Sequence, residues 1–82
     1  MTWFVYMLRC ADDTLYTGVT TDLQRRVSEH NGMSKGAKYT KARQPVELVY
    51  SQKTKNRSTA QVKEAALKKM TRSEKLKVAS VL

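Results

Sequence analysis

A single cysteine, Cys10, leaves the chain without an internal disulfide, and with one histidine it cannot complete a structural zinc site. A reduced compartment suits such a chain, and a cytoplasmic location is the expectation. No apolar run approaches the roughly 18–20 residues of a membrane-spanning helix, and no secretory-signal pattern opens the sequence. One proline and three glycines leave no linker, repeat or low-complexity segment. Eighty-two residues with 40% hydrophobic content fit one small two-layer domain spanning residues 1–82. Acidic residues are scarce as well. Seven Asp and Glu stand against 16 Lys and Arg, a net charge of +9, with most of the excess in the second half. Such a surface favours polyanions through phosphate contacts and counterion release, so a nucleic acid is the expected partner. An anionic membrane fits less well, because no helix combines a strong apolar face with interfacial aromatics.

The chain is organised around residues 4–31. Residues 3–9, WFVYMLR, are apolar at both alternating positions, which predicts a central strand covered on both faces. Asp12-Asp13 marks a turn, and residues 15–20, LYTGVT, read as the returning strand of a hairpin. Gly18 within it marks a bulge or a close approach by another group. The loop length decides where the tyrosines point. A two-residue loop pairs Tyr16 with Arg9 and puts Tyr6 and Tyr16 on opposite faces, whereas a three-residue loop of Ala11–Asp13 pairs Tyr16 with Leu8 and puts them on one face. If both serve one site, the loop is odd in length or the strand is bulged.

Thr21-x-x-Gln24 fits a capping box for a helix ending near Asn31-Gly32. At 100° per residue, Leu23, Arg26, Val27 and His30 share one face while Arg25 and Glu29 point away. An inward arginine needs an anionic partner. Residues 33–44 have no periodicity and read as an exposed basic loop with room for a short helical turn, with Lys35, Lys38, Lys41 and Arg43 as candidate nucleic-acid contacts. Residues 46–52 form a third strand with Val46, Leu48 and Tyr50 on one side. Ser58-x-x-Gln61 opens a helix to about Met70, in whose apolar stripe Glu64 sits between Ala60 and Leu67. Thr71-x-x-Glu74 caps a last helix with Leu76 and Ala79 inward. The expected fold is α+β, a small three-stranded antiparallel sheet flanked by helices in the order β-β-α-β-α-α.

The inward polar set is Tyr6, Tyr16, Arg26, His30 and Glu64. Phosphodiester hydrolysis needs an activated water, charge stabilisation on the phosphoryl oxygens and a protonated leaving group. Arginine clamps phosphate in a bidentate manner, and one glutamate can hold a magnesium ion completed by water and phosphate. Tyrosine is a poor base unless nearby cations lower its pKa. In this ordered combination the chain resembles the GIY-YIG nuclease superfamily, and most closely its small stand-alone bacterial members. It is also similar to the GIY-YIG nuclease domain of the excision-repair endonuclease. Phe4-Val5-Tyr6 stands for the first signature element and Tyr16-Thr17-Gly18 for the second. Phe4, Val5 and Thr17 replace the family's usual glycine and isoleucines, so altered packing is expected there. Thr59 and Ala66 stand where relatives often carry glutamate.

The resemblance implies a metal-dependent DNA endonuclease, using one Mg²⁺ or Mn²⁺ on Glu64, with repair or recombination intermediates as substrates. It also implies Arg26 as the charge-stabilising residue and a tyrosine, more naturally Tyr16, as proton relay, with Tyr6 and His30 orienting groups or assisting proton transfer. A non-catalytic basic nucleic-acid-binding module of the same fold is the alternative, as is a small partner-binding protein active only in a complex. RNA is an alternative substrate.

Overall fold

The computed structural model describes residues 2–32 and 38–80, apart from the side chains of residues 38, 39 and 80. Its elements are β1 (Trp3–Arg9), β2 (Leu15–Thr20), α1 (Leu23–Asn31), α2 (Lys38–Lys41), β3 (Glu47–Thr54), α3 (Arg57–Lys68) and α4 (Arg72–Ser80). The expected α+β order is observed, and the short α2 is the helical turn that the basic loop had room for. The antiparallel sheet has the order β2-β1-β3, so the apolar first strand is central. Val5 to Leu8 are all buried, because successive side chains enter opposite layers. Tyr6, Leu8, Cys10 and Val46 pack with Tyr16, Leu23 and Val27 beneath α1. Val5, Met7 and Leu67 pack with Val19, Val49, Tyr50, Met70, Val78 and Ala79 beneath α3 and α4. Each such aliphatic side chain, fully buried, contributes about 1.5–3 kcal/mol.

The hairpin takes the odd loop. Leu8 pairs with Tyr16 and Tyr6 with Gly18. The Cys10 amide donates to the Thr14 carbonyl at 2.8 Å, leaving Ala11–Asp13 as the loop, with Asp13 at φ 67°. A three-residue loop ending in a left-handed residue suits the twist of the strands it joins. Asp13 is then anchored by Arg72 of α4, Nη2 to Oδ2 at 2.9 Å.

Several local expectations are corrected. The cap of α1 is Asp22, not Thr21, and its carboxylate accepts from the Arg25 amide at 3.0 Å. Helix α3 is capped by Asn56, two residues before Ser58, through the Thr59 amide at 2.8 Å. In both cases a short acceptor nearer the strand end satisfies the first orphan amides. The Thr71–Glu74 capping box forms in both directions. Helix α1 stops where expected, but Gly32 is extended (φ −89°, ψ −179°), and the Gln44 side chain donates to the carbonyls of His30 and Gly32 instead. A bulge at Val49 aligns Leu48 with Leu8 but Tyr50 with Met7, which places Leu48 and Tyr50 on opposite faces rather than one. Leu76 is 42% exposed, and Val78 and Ala79 make the inward contacts of α4.

Candidate active site

The odd loop brings the two tyrosines onto the α1 face, with ring centroids 6.5 Å apart. Gly18 lies directly opposite Tyr6, and a Cβ there would fall 2.6 Å from the Tyr6 hydroxyl and 3.2 Å from the Tyr16 ring. The glycine is therefore a close approach between strand and tyrosine, not a bulge. Side chains at strand positions across from each other meet at the shortest distance, so only the missing Cβ lets the Tyr6 ring lie over β2.

Helix α1 covers this face of the sheet, since its cap and periodicity turn Leu23, Val27 and His30 onto it. His30 is fully buried at 0% exposure, edge-on to Tyr6 (6.0 Å between centroids) and 5.0 Å from Tyr16. Its Nε2 is 2.9 Å from the Tyr6 hydroxyl and its Nδ1 is 2.8 Å from the hydroxyl of Thr40, which is equally buried. Arg26 also hydrogen-bonds the Tyr6 oxygen. A guanidinium can only donate, so Tyr6 accepts from Arg26 and donates its one hydrogen to His30 Nε2. The neutral imidazole then donates from Nδ1 to Thr40. Burial pushes the Tyr6 phenol up to about 12, with the charges of Tyr16 and Glu64 adding to the effect against the pull of Arg26. Burial and the nearby Arg26 charge bring His30 down to about 4. Both groups are thus uncharged at neutral pH. Arg26 does pull the Tyr6 pKa down, but desolvation outweighs it.

Arg26 finds its anionic partner within its own helix. Its Nη1 is 2.9 Å from Glu29 Oε1, and Arg25 Nε approaches the other carboxylate oxygen at 3.7 Å. Glu29 was expected to point away, yet its side chain is only 22% exposed. The i+3 spacing lets a long side chain lean back across the turn to reach the guanidinium. On α3, Glu64 lies at the edge of the stripe formed by buried Ala60 and Leu67, paired with Lys68 at 3.3 Å. Among the described residues no cluster of three or more His, Cys, Asp or Glu side chains could enclose a metal. A lone carboxylate suits magnesium or manganese, which retain waters and share a substrate phosphate, and does not suit a closed zinc cage.

The basic segment is less uniform than the sequence suggested. Lys35 lies outside the described residues, as does the side chain of Lys38. Lys41 is exposed at the end of α2. Arg43 is drawn into the hairpin loop, with Nε 2.9 Å from Asp12 Oδ2 and its carbonyl accepting from the Ala11 amide. Thr40 and Glu29 escaped sequence reasoning. The spacing of Glu29 from both arginines was a usable signal, but nothing in an aperiodic basic run marks Thr40 as buried.

The GIY-YIG catalytic domain model matches residues 2–77. A UPF0213 protein of Desulfotalea psychrophila is 51% identical over 73 residues, covering 89% of this chain and 66% of that protein. One from Syntrophus aciditrophicus is 48% identical over 75 residues, covering 92% and 86%. The solution structure of a UPF0213 protein from Bacillus halodurans superposes with a TM-score of 0.63 at 38% identity, covering 99% of this chain and 85% of the other. The chain therefore belongs to the GIY-YIG catalytic-domain family, a nuclease superfamily.

Proposed function

We propose that the protein is a divalent-metal-dependent endonuclease hydrolysing phosphodiester bonds in DNA, including single-stranded or branched repair intermediates. The observation that carries this reading is the buried chain Arg26–Tyr6–His30–Thr40, set beside a second, half-buried tyrosine and within electrostatic reach of Glu64. A polar chain of this kind is costly to bury unless its members are hydrogen-bonded, and once they are it fixes the groups it joins. What it holds is the Arg26 guanidinium, a planar multi-donor fork of the kind that suits the oxygens of a phosphoryl group.

Hydrolysis replaces the phosphorus–oxygen bond to the leaving nucleoside with a bond to water oxygen. The water proton is relayed away, and another reaches the departing alkoxide. Tyr6 is too weakly acidic to relay that proton, and its hydrogen is already committed to His30, so it positions Arg26. Tyr16, half-buried beside Tyr6 and His30, is the relay. Arg26 stabilises negative charge as it builds on the phosphoryl oxygens. A Mg²⁺ or Mn²⁺ ion bound by Glu64 would polarise the phosphate and acidify a water. Lys35, Lys38, Lys41 and Arg43 are assigned to flanking backbone phosphates.

Incubating the purified protein with single-stranded, nicked and duplex DNA, with Mg²⁺, Mn²⁺ or chelator, tests the reading. Metal-dependent cleavage that Arg26→Ala or Glu64→Ala lowers by about 10²-fold or more is expected. Cleavage that survives either substitution sinks the mechanism. The pairing of Glu64 with Lys68 favours a non-catalytic binding module as the second reading. In that case salt-dependent binding persists without cleavage, and Arg26→Ala changes affinity alone.

A further inference from the structure

We propose that Trp3 and Arg57 form a stacking subsite for an unpaired nucleobase beside the phosphate position of Arg26. The proposal rests on the nuclease reading above and adds a substrate requirement to it. An open cavity of about 310 Å³ runs from α1 around the end of β2 to the first turn of α3, lined by Trp3, Thr21, Arg25, Arg26, Glu29 and Arg57 among others. Arg26 is thus one of its walls. At another, the Arg57 guanidinium carbon lies 5.6 Å from the centroid of the Trp3 ring. Its volume is at the small end of ligand pockets, about 300–1,000 Å³, which suits a single nucleotide rather than a duplex.

The placement of Trp3 needs a reason. It is the chain's only tryptophan, yet it belongs to neither core cluster and stays half-buried at the start of the central strand. Its backbone is held by the Thr54 hydroxyl, which donates to the Trp3 carbonyl at 3.1 Å. This large ring stands outside both core clusters, at a groove with three arginines and one glutamate. It offers an apolar face next to cations, the combination that binds single strands by stacking on bases and attracting phosphates. Duplex bases are already stacked and cannot reach such a face, so the subsite selects strands with an unpaired nucleotide flanking the cut.

Trp3 reports on itself. In chelator, titrating the wild-type protein with a dT12 oligonucleotide should quench Trp3 fluorescence, while a closed hairpin duplex should leave it unchanged. With fluorescein-labelled dT12 and anisotropy, Trp3→Leu should bind roughly 5- to 150-fold more weakly, and Trp3→Phe should keep affinity within a few fold. Leucine fills the space without stacking, so this pair separates stacking from packing. Equal quenching by the closed duplex, or wild-type affinity in Trp3→Leu, overturns the subsite. Arg26-dependent cleavage with unaltered Trp3→Leu binding rejects the subsite and keeps the nuclease. Quenching with Trp3→Leu loss but no cleavage keeps the subsite and rejects the nuclease.

Discussion

Tyr6 crosses Gly18 so closely that any side chain there collides with it, a Cβ lying 2.6 Å from the Tyr6 hydroxyl and 2.8 Å from the carbon that bears it. The tyrosine cannot move aside without releasing His30, because its hydroxyl is 2.9 Å from the imidazole. Gly18→Ala should therefore lower stability by about 1–3 kcal/mol and reduce cleavage together, since the same ring carries the core contact and the Arg26 bond. Thermal unfolding and a cleavage assay on the variant check this. An alanine variant with unchanged melting and activity would remove Tyr6 from the site.

Adjacent arginines should separate cleanly. Arg26 bonds both Glu29 and Tyr6, whereas Arg25 is the more exposed partner of Glu29. Arg25→Ala should change the cleavage rate less than tenfold. Arg26→Lys should lose about 10²-fold or more, because an ammonium cannot reproduce the planar, multi-donor fork. Single-turnover rates on one DNA substrate measure both. Full activity in the lysine variant would show that charge alone suffices.

His30 makes the fold sensitive to acid. Its folded pKa, about 4, lies below the ordinary value of 6.5, so the folded state resists a proton that the unfolded chain accepts. The stabilisation is fully present above pH 6.5 and is lost as pH falls towards 4, with a slope approaching about 1.4 kcal/mol per pH unit. Denaturant unfolding from pH 7 to 5 should show the fall, and His30→Gln should flatten it. His30 is the only histidine, so its NMR signals titrate without overlap. In Thr40→Val, which removes the Nδ1 partner, those signals should move and cleavage should drop. Thr40→Ser should restore both. A Thr40→Val protein with native signals and rate would exclude Thr40 as a positioning residue.

Thr17 carries the opposite kind of hydroxyl. It faces the α3 layer opposite Met7, and its Oγ1 is buried without a hydrogen-bond partner among the described residues. Replacing it with isosteric valine removes an unsatisfied polar atom, which should stabilise the fold by about 1 kcal/mol, or about 4–8 °C in Tm. Cleavage should be unaffected, as the side chain points away from the tyrosines. A lower Tm in Thr17→Val would reveal a partner for the hydroxyl.

Much of this was legible along the chain because it depends on short-range rules. The doubly apolar run of residues 3–9 could only be a central strand, and helical periodicity alone selected Arg26 over Arg25. The same periodicity turned His30 and Glu64 inward. The sequence also reduced the tyrosine question to loop parity. It could not choose the parity, because a three-residue loop depends on Asp13 accepting a left-handed backbone while Arg72, fifty-nine residues away, anchors it. Nor could it supply partners. Arg26 could have paired with Glu64, but within α1 Glu29 was the nearer carboxylate, and Glu64 took Lys68. The burial of Thr40 against His30 and the shift of Tyr6 to about 12 arise only when α1, α2 and the sheet exclude water from one small space. Periodicity sets the direction of a side chain; desolvation, which sets its chemistry, is a property of everything packed around it.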